Sequence, residues 1–243
     1  MTFFQVDKPT PVLNTPFFHR AYSSKKAFDD QGLIRAVEFI ALPGMVFKLV
    51  GEYENPIYEV AAEFYPSSKV LYIDSRFGKK VETCLDQKKK KLPPKKVILE
   101  RMIEQQNRPY VWGGNYGKGI SLWEFLYPPP KGLTPFQRAQ WNFAGVDCSG
   151  LLFEACGGLT PRNTSELMSY GKEVSLQEIE ALDLIVYPGH VIIAIGKDKV
   201  IESRLEYGGV RISSLERCLS TIPTEITIRR FFQTPRDSGA SSP

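Results

Sequence analysis

The hexapeptide GVDCSG at positions 145–150 is followed by the apolar run LLFEAC at 151–156 and then by two glycines. This pattern predicts a buried helix that ends at the glycines, with Cys148 in its first turn. Unpaired backbone N–H groups and the positive end of the helix dipole stabilise a thiolate there. The same N–H groups are suited to hold an oxyanion, and Asp147 is a candidate N-cap. Taken alone, a cysteine at a helix start is more often an inert core thiol.

A histidine in a matching context supplies the base that such a thiol needs. The chain has two histidines, and His190 follows DLIVYPG at 183–189 and precedes the apolar run VIIAI at 191–195. The pattern predicts a strand that begins at the imidazole, where the ring can take a thiol proton. A lone strand-end histidine is more often structural. Together, however, the two contexts favour a catalytic pair of Cys148 and His190.

The next predicted strand, KVIESR at 199–204, carries a candidate for the group that orients the imidazole. The Glu202 carboxylate can accept a hydrogen bond from the second ring nitrogen and stabilise the imidazolium. A two-residue turn at 197–198 would place positions 190 and 202 on opposite faces of the hairpin, whereas a three-residue loop at 197–199 would place them on one face. The sequence does not choose between these, and an ordinary strand glutamate is the alternative.

Composition and charge exclude several other classes of protein. The 243 residues are 42% hydrophobic and 24% charged, which is typical of a globular protein with a sizeable core. The net charge is +4, and much of the excess lies in the lysine run at 88–91. A nucleic-acid-binding protein usually spreads basic residues over a face, so we expect no nucleic-acid partner. No apolar run approaches the ~20 residues of a spanning helix, so we expect no membrane span.

The cysteines and the N-terminus indicate a compartment and exclude a metal site. The four cysteines are Cys84, Cys148, Cys156 and Cys218. They form no CxxC pair and their spacing does not suit zinc, so we expect free thiols and no metal. No feature indicates a nucleotide or other cofactor. The first residues, MTFFQVD, lack a basic segment and are followed by prolines, so we expect no signal peptide and a cytoplasmic location.

Two units joined by a linker are predicted along the chain. Residues 1–85 contain short β-branched and aromatic runs between turn residues, and their order resembles a small bacterial SH3-like β-barrel. Residues 86–96 combine lysines with two prolines and predict a linker, either a solvated hinge, which is favoured, or a tether to an anionic surface. A helical pattern opens the second unit at 97–234, and the polar residues 235–243 predict a disordered tail.

Three motifs, in order, resemble those of the NlpC family of bacterial cell-wall cysteine peptidases. They are PYVWGG at 109–114, DCSG at 147–150 and GHV at 189–191, and the resemblance spans roughly residues 97–232. It implies an α+β, papain-like catalytic domain in which a helix bearing the nucleophile packs on an antiparallel sheet. Members of the family often carry an SH3-like β-barrel before this domain.

The resemblance also implies roles for single residues. Cys148 is the expected nucleophile, and His190 is the expected base. Glu202 occupies the position of the family's third polar residue, most often a histidine, and this stronger acceptor is expected to raise the pKa of His190. Tyr110 is the expected tyrosine near the reacting carbonyl, with aromatic packing as its alternative.

The residues around the nucleophile carry further expectations. Asp147 and Ser149 are expected to bind substrate, Asp147 through an ammonium group, and a helix-cap role for Asp147 is compatible with this. The stretch 115–145 is much longer than the corresponding gap in the family, which is a second departure. Its aromatic residues either wall the cleft or pack against the SH3-like unit.

The function implied by the resemblance is hydrolysis of peptidoglycan stem peptides or muropeptides. The expected bond joins the γ-carboxyl of D-glutamate to meso-diaminopimelate, and a cytoplasmic enzyme would act on imported muropeptides during recycling. Two alternatives stay open. One is a papain-like amidase or acyltransferase acting on other amides, and the other is a non-catalytic wall-binding protein. The sequence determines neither the exact bond nor the oligomeric state.

Overall fold

In the computed structural model, consecutive parts of the chain build two separate antiparallel sheets. The structure describes residues 2–82, 90–222 and 225–232. Cys84, the first part of the predicted linker and the predicted tail at 235–243 lie outside these residues. Among the described helices, none has the length and apolar character needed to cross a bilayer.

The part of the chain that the sequence predicts to be β-rich forms the first sheet. Its strands are β1 (Phe3–Val6), β2 (Thr10–Leu13), β3 (Val37–Ala41), β4 (Val46–Glu54), β5 (Ile57–Ala61), β6 (Leu71–Asp74) and β7 (Gly78–Val81), and a short helix α1 (Phe18–Ala21) follows β2. Their order in the sheet is β3-β2-β6-β5-β4-β1-β7. Alternate side chains of β1, Phe4 and Val6, are buried against Phe39 and Phe47, as expected for a sheet with one face on a core. The SH3-like barrel and the boundary at residue 85 stay predictions.

The second half of the chain combines helices with the second sheet. Its elements are α2 (Lys95–Ile103), β8 (Asn115–Tyr116), α3 (Ser121–Leu126), α4 (Pro135–Asn142), β9 (Gly145–Val146), α5 (Cys148–Ala155), α6 (Thr164–Leu167), β10 (Lys172–Glu173), β11 (Leu184–Tyr187), β12 (His190–Ala194), β13 (Lys199–Arg204), β14 (Gly209–Ser214), α7 (Leu215–Leu219) and β15 (Thr227–Arg230). The larger sheet runs β10-β15-β11-β12-β13-β14, and β8 pairs with β9.

Helix α5 is the central element of this half. Leu151 and Leu152 are fully buried in one cluster with residues of α2 and of the second sheet, and burial of each contributes roughly 1.5–3 kcal/mol. The helix ends where predicted, because Gly157 and Gly158 both adopt left-handed backbone conformations. A Cβ at Gly158 would lie 2.4 Å from Met45 of the first half. The expectation of a helix packed on an antiparallel sheet is thus confirmed.

The long stretch 115–145 packs against the first half of the chain. Trp123 and Tyr127 stack with ring centroids 4.1 Å apart, and they share one buried cluster with Phe18 and Tyr22 near α1. The Tyr127 hydroxyl donates to the buried carboxylate of Asp74 at 2.9 Å. Of the two roles left open for this stretch, its aromatic core takes the packing role.

Substitution of Trp123 by alanine is expected to destabilise the protein by about 3–5 kcal/mol, because the indole is fully buried between the two halves. Phe125 on the same helix is 81% exposed, so Phe125→Ala is the matched control and should change stability by less than about 0.5 kcal/mol. Urea denaturation measures both. Equal effects of the two substitutions would show that α3 does not join the halves.

Candidate active site

The sequence around Cys148 places its thiol at the start of a capped helix. Asp147 adopts an extended backbone before α5, and its carboxylate accepts a hydrogen bond from the Gly150 N–H at 2.7 Å. This is the N-cap geometry that the sequence predicts. Cys148 is 8% exposed and lines a cleft of about 280 Å³ that also contains His190.

The turn before His190 fixes where its ring lies. Tyr187 and His190 pair across the β11–β12 hairpin, so Pro188 and Gly189 form a two-residue turn. Gly189 has a φ of 84°, and proline followed by a left-handed glycine is the sequence signature of a type II turn. The imidazole therefore sits at the first position of β12, as predicted, where it lines the cleft.

The hairpin register brings Glu202 to the same face as His190. Ile193 pairs with Ile201 and Ala194 with Val200, and Ile195 N–H donates to the carbonyl of Lys199. The connection therefore has three residues, 196–198, one position earlier than the loop considered from the sequence. Side chains of paired residues share a face, so positions 190 and 202 lie diagonally across one face.

Glu202 is 1% exposed, and three groups surround its carboxylate. Oε2 lies 2.7 Å from His190 Nε2, and Arg204 Nη1 lies 4.0 Å from the same oxygen. The other oxygen, Oε1, accepts a hydrogen bond from the Cys218 thiol at 3.7 Å. The contact from Cys218 was missed by sequence reasoning, because nothing in the sequence places α7 behind β13.

The charge state of His190 follows from these neighbours. Burial disfavours its imidazolium, but interactions with Cys148 on one side and Glu202 on the other outweigh burial and raise the pKa of His190 to about 9. With Nε2 facing Glu202, Nδ1 is left for the thiol. The arrangement therefore supports a protonated imidazole at neutral pH, held between the Cys148 side chain and the Glu202 carboxylate.

Tyr110 lines the same cleft as Cys148. Burial is the main cause of the raised pKa of its hydroxyl, and the charges of Asp147 and Cys148 add to it. The phenol therefore stays protonated and can donate a hydrogen bond. Its backbone carbonyl accepts a hydrogen bond from Gln140 of α4 at 2.5 Å, so the long stretch also braces this residue.

Asp147 and Ser149 lie beneath the nucleophile and are not among the residues that line the cleft. Arg162, whose side chain is 4% exposed, reaches the Asp147 carboxylate at 2.5 Å. The same guanidinium donates to Ser149 Oγ at 2.7 Å and to Asn115 Oδ1 at 3.2 Å. These contacts favour the helix-cap role for Asp147, and the substrate-binding roles of both residues stay predictions.

The first half of the chain supplies one wall of the cleft. Gln31, Leu33 and Arg35 line it together with Tyr187 and His190 of the second half. The cleft is therefore shared between the two halves of the chain.

Within the described residues, no group of three or more His, Cys, Asp or Glu side chains is arranged to hold a metal ion.

The imidazole of His190 should titrate with a midpoint near pH 9, so its charge is lost as the pH rises through that value. The stability that its ion pairs contribute is correspondingly complete below the ordinary pKa of 6.5 and is lost towards pH 9. NMR titration of the ring protons, assigned with His190→Gln, measures this. Glu202→Gln should lower the midpoint by roughly 1–3 pH units. A wild-type midpoint at or below 6.5 would contradict the ion pair.

Residues 107–223 match the model of the NlpC/P60 family. A Haemophilus influenzae protein named "Probable endopeptidase" is 33% identical over 93 residues, which cover 34% of this chain and 57% of that protein. The chain thus spans little more than half of that relative.

Two solved structures are also similar. One is the peptidoglycan hydrolase RipB from Mycobacterium tuberculosis (27% identity, 58% of this chain and 65% of that chain, TM-score 0.43). The other is an NlpC/P60 family protein from Bacillus cereus (19% identity, 95% and 63% covered, TM-score 0.41). The residues that match the NlpC/P60 family, 107–223, make up just under half of the chain and include Cys148, His190 and Glu202.

Proposed function

We propose that this protein is a cysteine peptidase that hydrolyses peptidoglycan stem peptides. The observation that carries the proposal is the position of His190, which lies between the Cys148 thiol and the buried Glu202 carboxylate in an accessible cleft. A thiol, a base and an orienting acid in this order form the arrangement needed for nucleophilic catalysis. The match of residues 107–223 to the NlpC/P60 family supports the substrate class.

The geometry supports a two-step mechanism. The Cys148 thiolate attacks the carbonyl carbon of the scissile amide and forms a C–S bond, while the charge passes to the carbonyl oxygen. First-turn N–H groups of α5 and the Tyr110 hydroxyl are suited to stabilise that oxyanion. The His190 imidazolium then protonates the leaving nitrogen as the C–N bond breaks. Neutral His190 next takes a proton from water, which cleaves the thioester and regenerates the thiolate.

The finer proposal is that the bond cut joins γ-D-glutamate to meso-diaminopimelate. Such peptides carry several carboxylates, and two guanidinium groups, Arg35 and Arg204, line the cleft. Burying an apolar lipid chain against these charged side chains would cost free energy, which disfavours the alternative hypothesis of an amidase that acts on lipid amides. Intact Cys148 and His190 favour catalysis over wall binding alone. The cytoplasmic location and action on imported muropeptides stay predictions.

Cys148→Ala is expected to abolish cleavage of L-Ala-γ-D-Glu-meso-diaminopimelate while leaving the fold intact. Cys156 at the opposite end of the same helix is fully buried, and burial raises the pKa of its thiol to about 12, so Cys156→Ala is the matched control and should keep substantial activity. Mass spectrometry of the products measures both and identifies the bond. Turnover by Cys148→Ala at the wild-type rate would end the cysteine-peptidase proposal.

The free tripeptide should be cut much faster than the same peptide still attached to N-acetylmuramic acid. We propose that the N-terminal unit, as an SH3-like domain of residues 1–85, closes one end of the cleft, and a poorly seated substrate can lose roughly a hundredfold in rate. The ratio of kcat/KM for the two substrates measures this. A ratio near one would show a cleft open at both ends and would favour action on the intact wall.

A further inference from the structure

We propose that Arg35 binds a carboxylate of the substrate next to the scissile amide and so makes the enzyme selective for acidic peptides. This rests on the proposed peptidase function and assigns part of substrate recognition to the first half of the chain. Arg35 lines the cleft together with Cys148. Tyr110 and His190 line the same cleft, so the guanidinium and the proposed reacting groups face one cavity.

The Arg35 guanidinium is held in place on several sides. Its Nε lies 2.6 Å from Asp29 Oδ2, and its Nη2 donates to Gln31 Oε1 at 2.7 Å. Its central carbon lies 4.1 Å from the ring centroid of Trp112. A surface arginine that is fixed in this way has already lost most of the side-chain freedom that ligand binding would otherwise remove.

The groups that hold Arg35 are themselves fixed. Asp29 Oδ1 accepts hydrogen bonds from the backbone N–H groups of Gln31 and Leu33, both at 2.9 Å. Across the boundary between the halves, Trp112 Nε1 donates to the carbonyl of Val37 at 3.1 Å. The segment 29–35 therefore presents Arg35 from a rigid turn against a rigid aromatic platform.

Arg35 keeps donors for a ligand. A guanidinium has five N–H groups in a planar fork that matches a carboxylate. The side chain is 41% exposed, and its Nη1 has no hydrogen-bond partner among the described residues. The other arginine of the cleft differs. Arg204 donates to the Tyr187 hydroxyl at 2.8 Å and lies 3.4 Å from Glu206 and 4.0 Å from Glu202, so two carboxylates already face it, whereas Arg35 faces one.

A purely structural role for Arg35 makes a different prediction from carboxylate recognition. If Arg35 only joins the halves by stacking on Trp112, its loss would lower stability and affect all substrates equally. If it binds a carboxylate, its loss would matter only for substrates that carry that group. Amidation of single carboxylates separates these outcomes, because it removes the charge and keeps the size.

The experiment compares wild type, Arg35→Gln, Arg35→Lys and a control on three peptides. These are L-Ala-γ-D-Glu-meso-diaminopimelate and two forms of it, one amidated at the α-carboxyl of glutamate and the other at the diaminopimelate carboxyl nearest the scissile bond. The control is Arg138→Gln, since Arg138 pairs at 3.1 Å with Glu124 away from the cleft and its side chain is 60% exposed.

Wild type and Arg138→Gln should lose roughly ten- to a hundredfold in kcat/KM on one amidated peptide. Arg35→Gln should lose a similar factor on the parent peptide and nothing further on that amidated form, and Arg35→Lys should fall between. Discrimination by Arg35→Gln equal to that of wild type would overturn the proposal. So would an equal loss on all three peptides, or no discrimination by wild type.

Binding of the same peptides to Cys148→Ala protein, with and without Arg35→Gln, gives a readout that does not need turnover. Calorimetry should show the same ten- to hundredfold pattern in Kd. If binding is selective and depends on Arg35 but wild type cleaves nothing, the peptidase proposal is wrong and the assignment of Arg35 stands. If wild type cleaves the peptides without selectivity that depends on Arg35, only the assignment of Arg35 is wrong.

Discussion

Arg162 is buried, and its guanidinium donates to groups on two other segments of the chain. It pairs with Asp147, which caps α5, and it donates to Ser149 in the first turn of that helix. It also donates to Asn115 Oδ1. A buried charge of this kind is tolerated only when its partners are complete. The start of α5 is therefore held by a buried ion pair, and breaking that pair would be strongly destabilising.

Asn115 extends this network into the first half of the chain. Its side chain exchanges two hydrogen bonds with the backbone of Ile40 on β3, at 2.9 and 2.8 Å. A polar network with all its members satisfied specifies one arrangement of the groups that it joins. Together with the aromatic cluster around Trp123, it holds the first half of the chain against the second, so that Arg35 lines the same cleft as His190.

Burial decides the chemistry on the other side of the cleft. Glu202 is almost fully enclosed, so its charge is compensated by His190, Arg204 and the Cys218 thiol and not by water. Burial and the nearby carboxylate raise the pKa of Cys218 to about 12, so this thiol stays a neutral donor. Of the cysteines that the structure describes, Cys148 alone lies beside the imidazole, which separates it from the other two described thiols.

Local sequence determined the features that depend on neighbouring residues. The glycines after 151–156 end α5, Asp147 caps it, and the Pro-Gly turn places His190 at the start of a strand, because each rests on backbone preferences within a few positions. The ordered motifs around Cys148 and His190 also predicted the resemblance that residues 107–223 show to the NlpC/P60 family. The hairpin between the strands that carry His190 and Glu202 was predicted too. The length of its loop was left open, because the same residues fit both a two-residue and a three-residue connection.

Only the tertiary structure decided the contacts between distant segments. The position of Arg35 over Trp112, the thiol of Cys218 behind Glu202, and the pairing of Arg162 with Asp147 each join residues that lie far apart along the chain. Single side chains carry no periodic signal for such contacts, because their partners are set by how sheets and helices pack. The sequence thus determined which residues could react, and the packing of the two halves decided which surfaces surround them.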